Sequence, residues 1–114
     1  MTGEGLERTE REIAGEKAAA LGRSGRRLRS ALDKLRKFDS VAGQPRGRTG
    51  RRSAATAGHA AAREELLALA AEAYWSYIVQ REALGLYEND SVIADYGVPP
   101  EVQRRMGPRP PRSG

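Results

Sequence analysis

Ala14, Leu21, Leu28 and Leu35 stand seven residues apart, and Ile13, Ala18, Ala31, Leu32 and Phe38 fill in beside them at offsets of three and four. A strand would scatter these positions over both faces, whereas a helix gathers them into one stripe. The spacing therefore predicts a helix from about Glu4 to Phe38, roughly 45 Å long at 1.5 Å per residue. Glu4, Glu7, Glu10, Glu12 and Glu16 fill its first half and Arg and Lys its second, an order that suits the helix dipole. Gly15, Gly22 and Gly25 interrupt it, each costing about 1 kcal/mol relative to Ala. Either packing offsets that cost or the glycines let a neighbouring helix come close.

From Ser40 to Arg52 the chain runs through Pro45, three glycines and four arginines, the composition of a flexible loop over about residues 40–53. A second long helix follows to Leu84, with Ser53 or Thr56 as N-cap. Leu66, Leu67, Ala70, Ala73, Tyr74, Tyr77, Ile78 and Leu84 share one face of it, and Trp75 and Val79 project from a second flank beside Ala68 and Ala71. Gly85 followed by Leu86 predicts a Schellman stop. Beyond it, Asn89 or Asp90 caps a short helix that ends at Gly97, and Pro99-Pro100 opens another that ends near Met106. The pair is expected to fold over one end of the hairpin, burying Val92, Ile93, Tyr96, Val102 and Met106. Residues 1–107 thus read as one domain and 108–114 as a disordered, extended Pro/Arg tail.

The amount of core is limited. Of the 44 residues in the hydrophobic class, 18 are Ala, and a domain of this size buries little to begin with. The expected architecture is all-α, an antiparallel hairpin of two long helices with two short C-terminal ones. The thin core points to a homo-oligomer, with dimerisation into a bundle the simplest form and a coiled coil the competing one. There is no Cys, hence no disulfide or thiolate site, and the first residues lack the apolar stretch of a secretion signal. No apolar run is long enough to span a bilayer. A reducing, cytoplasmic setting fits these features.

Catalysis lacks the converging groups it needs. His59 is the one His and stands among alanines, where a surface position is expected, and one His without Cys makes no ordinary zinc site. Gly43-Gln44-Pro45-Arg46-Gly47 has no Lys-Ser/Thr ending of a phosphate loop. The sequence thus implies no enzyme, cofactor or metal. The elements around Gly97 resemble a helix-turn-helix at Val92, Tyr96, Val98 and Met106. Ile93 and Gln103 break the pattern, and the second helix is too short to read a groove.

Charge is the other feature. Residues 23–52 carry eleven Lys/Arg against two Asp, and residues 53–102 carry two Arg against eight Asp/Glu. Arg23, Arg26 and Arg27 on the helix, with Arg46, Arg48, Arg51 and Arg52 on the loop, form a candidate polyanion-binding set for nucleic acid. The same asymmetry also suits docking on a protein partner or a second subunit. Arg81 falls in the apolar stripe of the second helix at the angle of Arg63, so it must be paired or reach the edge. A carboxylate of the first helix, Glu88 or Asp95 is its expected partner. Trp75, Val79, Gln80, Arg81 and Glu82 make the candidate interface or buried polar set.

The run Ala71 to Leu86, with its Gln80-Arg81-Glu82-Ala83 step, resembles a family of short bacterial helical proteins of unknown function. The Asp95-Tyr96-Gly97-Val98-Pro99 turn and Arg105-Met106-Gly107 carry the same likeness, as do Leu6-Glu7-Arg8 and Glu16-Lys17-Ala18 on the first helix. The resemblance implies a bacterial origin and a helical fold, and it supplies no functional residues.

Overall fold

Helical spacing in the sequence becomes helix in the structure almost throughout. The computed structural model describes residues 2–42 and 52–107, with side chains placed for 8–41 and 57–107. It contains α1 (Thr2–Ala42), α2 (Arg52–Ala83), α3 (Asp90–Tyr96) and α4 (Pro100–Arg104), with no strand among the described residues. α1 runs past Phe38 through Ser40–Ala42, and α2 begins at Arg52, so Ser53 and Thr56 lie inside it rather than capping it. The middle of the Arg-rich loop and the Pro/Arg tail lie outside the described residues.

α1 and α2 pack antiparallel. Gly25 meets Tyr77, Arg27 meets Glu72, and Phe38 meets His59, so rising positions on α1 match falling positions on α2. The same register brings Ala83, the end of α2, level with α1 somewhere between Ala14 and Ala19. Everything on α1 before that point overhangs, and residues 8–19 are all exposed. The apolar stripe read from the sequence is thus buried over only part of its length. Leu28, Leu32 and Leu35 are buried, but Ile13 is 46% exposed and Ala14 and Ala18 are open. The molecule is accordingly long, 78 × 34 × 19 Å.

The chain turns out of α2 as the glycine predicts. Gly85 has φ +81, Leu86 N–H donates to the Arg81 carbonyl and Gly85 N–H to that of Glu82, both at 2.9 Å. That is the Schellman pattern. Gly97 repeats it at the end of α3, with φ 64 and Val98 N–H on the Ile93 carbonyl at 3.0 Å. Asn89 sits at the N-cap of α3 but makes no side-chain cap bond. Glu88 supplies the cap instead, accepting from Ser91 N–H and Ser91 Oγ at 2.8 Å each, and these bonds hold its carboxyl below the usual range. Pro99 and Pro100 open α4 as expected.

α3 and α4 do not cap an end of the hairpin. They run back along one side of it, where Tyr96 meets Tyr77 and α4 reaches Asp39's neighbour Arg63. Val92, Val98 and Val102 join Leu28, Leu32, Leu35, Leu67, Ala70, Tyr74 and Ile78 in one core. Ile93 and Tyr96 are only half-buried, and Met106 is exposed. α4 has five residues, too few for a recognition helix.

Candidate interaction surface

One side of the hairpin is closed by charge and aromatic contacts. Arg63 of α2 donates to both Asp39 oxygens at 2.7 and 3.1 Å and to both Glu101 oxygens at 3.0 and 2.5 Å. A planar guanidinium fits two carboxylates in this way. The bonds from Arg63 hold the Asp39 and Glu101 carboxyls below their usual values and raise Arg63 further. Arg105 pairs with Glu64 alongside. Arg36 of α1 donates to the main-chain oxygens of Tyr96 and Gly97 at 2.5 and 3.1 Å, and Arg29 stacks over the Tyr96 ring at 4.7 Å. Tyr77 and Tyr96 meet edge to face at 5.3 Å. Burial pushes the Tyr96 phenol up.

Among the described residues the opposite side has no third layer. Arg27, Ser30, Ala31 and Lys34 of α1 and Leu66, Leu69 and Ala73 of α2 line an open groove there. Leu66 is half-buried and Leu69 is 37% exposed. Arg27 reaches over the groove to Glu72 at 3.2 Å. Farther toward the N-terminus, Ile13, Glu16, Ala20 and Arg23 line a shallow depression on α1. A third, more polar depression on the outer side of α1 is lined by Arg26, Arg29, Ser30, Asp33, Lys34 and Lys37. Its one carboxylate, Asp33, is taken by Arg36 at 2.9 Å. Arg26, Lys34 and Lys37 have no ion pair among the described residues.

The other sequence candidates are dispersed. Arg46, Arg48 and Arg51 lie outside the described residues, as does the side chain of Arg52. Arg23 and Arg26 are exposed on α1. Trp75 is half-buried and Val79 exposed, on a flank roughly 80–160° round α2 from Leu69 and Ala73 at 100° per residue. Arg81 does turn to Glu88, but to its main-chain carbonyl at 2.7 Å and not to a carboxylate. Its Nε is buried and unpartnered, as are Gln80 Oε1, Ser24 Oγ and Asn89 Oδ1. Glu82 is exposed. His59 is exposed and stacks on Phe38 at 4.6 Å. Among the described residues no three His, Cys, Asp or Glu gather as a metal site, and no helix is long and apolar enough to cross a membrane.

The groove residue that sequence reading missed is Leu69. It falls outside the stripe of Leu66, Leu67, Ala70 and Tyr74. A large apolar side chain lying between Glu65 and Glu72 on the helix surface was the available signal.

A family model for a family of unknown function (DUF6665) matches residues 40–112. The chain belongs to this family. The match takes in α2, α3, α4, the Arg-rich loop and most of the tail, and it leaves out α1 up to Asp39. The likeness therefore lies in the hairpin's second arm and its C-terminal layer, and reaches through the Arg-rich loop. No curated protein and no solved structure matches the chain.

Proposed function

We propose that the chain is a small helical interaction module without catalytic activity, acting in the cytoplasm and binding another protein surface through the open side of its hairpin. The observation that carries this is the asymmetry of the bundle. α3 and α4 cover one side, while Ala31, Leu66, Leu69 and Ala73 on the other line a groove that no described element covers. Apolar side chains left open between two helices are best satisfied by a third helix. The non-catalytic part rests on the reactive groups. The chain has no Cys, its single His stacks in the open on Phe38, and Asp39 and Glu101 are engaged by Arg63.

A photocrosslinking residue placed at Leu69, and in a separate variant at exposed Asp95 on α3, tests the reading in cells. Adducts should form from position 69 and not from 95. Equal yields at the two positions would sink the groove as the functional surface.

One observation favours a second reading, in which the chain binds nucleic acid through phosphate contacts. Arg26, Lys34 and Lys37 border one depression on α1 and have no ion pair among the described residues. Fluorescence anisotropy with random double-stranded DNA at about 50 and 200 mM salt examines this. Six or more phosphate contacts cost about a thousandfold in affinity over that range. The R26S/K34S/K37S variant should then lose most of the binding, and an absence of binding at the lower salt removes the reading.

A further inference from the structure

We infer that the open groove is filled by the overhanging N-terminal arm of α1 from a second copy of this chain, the two copies exchanging arms about a two-fold axis near Gly22. The inference rests on the groove being the interaction surface proposed above.

The arm carries the right apolar face. Ile13, Ala20, Arg27 and Lys34 follow one another at intervals of seven, so the exposed Ile13 stands on the same side of α1 as the groove. The depression at Ile13 and Ala20 continues the groove along α1. Its charges are also complementary. Glu10 and Glu16 lie three residues before and after Ile13, and both are exposed. Arg27 and Lys34 lie four before and three after Ala31, on the groove's α1 wall. Laid antiparallel, Ile13 of one copy enters between Ala31 and Leu69 of the other, Glu16 comes beside Arg27, and Glu10 beside Lys34. Arg27 spends one donor on Glu72, and a guanidinium has five. All three pairings share a midpoint near Gly22, so one two-fold axis generates them and their reciprocals.

The arm cannot fill its own groove. Ile13 and Ala31 are 18 residues apart on one continuous helix, roughly 27 Å. The wider charge pattern agrees. Residues 4–16 carry five Glu against two Arg, while residues 23–37 carry seven Lys/Arg against Asp33. Antiparallel exchange sets the acidic stretch of each copy along the basic stretch of the other.

The chain has no Cys, so engineered thiols report cleanly. Full-length I13C and L69C variants are mixed and treated with a short bifunctional maleimide. The mixture should yield a covalent species of twice the 12.4 kDa chain mass, and either variant alone should yield far less. A charge-swap series read by sedimentation equilibrium complements it. E10K and K34E should each weaken the dimer by roughly tenfold, from two like-charge contacts of under about 1 kcal/mol each. The E10K/K34E double variant should recover most of that loss. These positions are exposed, and circular dichroism checks that helicity is kept. Position 69 reacting with its own counterpart instead of with 13 overturns arm exchange while leaving the groove as the interface. A monomer that gives no 13-to-69 adduct also overturns it. If position 69 still forms photocrosslinks, the groove then belongs to a different protein; if those are absent too, the groove reading falls with it. Additive rather than compensating swaps count against the exchange as well.

Discussion

Arg63 donates four hydrogen bonds, tying α1 to α4 through α2 by way of Asp39 and Glu101. Its guanidinium joins three helices, as the Tyr96 ring does through Arg29 and Tyr77. The sequence showed that a cation in an apolar stripe must find a partner. It did not show which, because Asp39 and Glu101 lie 24 and 38 residues away and meet Arg63 only once the chain has doubled back twice. Arg81, at the same helical angle, ends on a carbonyl instead, since the turn after Gly85 brings main chain and not a carboxylate within reach. The ion pairs have a consequence for acid stability. Both carboxyls are held below their ordinary values of 3.8 and 4.5, so the folded chain takes up protons less readily than the unfolded one. The stabilisation is complete above those ordinary values and is lost as pH falls through the lowered ones. The urea midpoint should therefore drop as pH falls below 4.5. R63A should cost about 1–2 kcal/mol at neutral pH, partial exposure keeping it low in the range for charged hydrogen bonds, and should flatten that acid limb. An unchanged acid limb in the variant would show that other groups carry it.

At the scale of elements, the helices were legible where a local rule fixes them. Gly85-Leu86 and Gly97-Val98 stop helices because a left-handed residue there lets the next amides satisfy the last carbonyls. The overhang of α1 obeys no local rule. It follows from the register between α1 and α2, set by contacts some 45 residues apart such as Arg27 to Glu72. Gly15, Gly22 and Gly25 of α1 sort the same way. A Cβ on Gly25 would come within 2.6 Å of Tyr96 Oη and 3.2 Å of Tyr77 Cε1, whereas on Gly22 it would meet only the flexible end of Arg26 at 3.6 Å. Gly25 alone of the three permits a close approach. G25A should therefore lower stability by about 1–3 kcal/mol through overpacking, and G22A should raise it by up to about 1 kcal/mol through helix propensity. Thermal melts of the two variants should move in opposite directions. A stabilised G25A would mean that the tyrosines yield at little cost.

On the scale of the whole molecule, composition foretold a helical hairpin with a modest core, and that is the fold. It did not foretell which side α3 and α4 would take. That choice depends on Arg36 finding the carbonyls of Tyr96 and Gly97, 60 and 61 residues away, and on Tyr96 lying against Gly25, farther still along the chain. Leu69 is left in an open groove as a result, while Trp75 and Val79, singled out by helical angle, stand on another flank. The Arg36 contact has a bearing on how such chains can diverge. It grips two main-chain oxygens, and every amino acid offers the same oxygen. The clasp that shuts the bundle is thus indifferent to what α3 wears on its exposed positions, Ser91, Ala94 and Asp95. A lineage could recolour that outer surface freely while the scaffold beneath it stays closed.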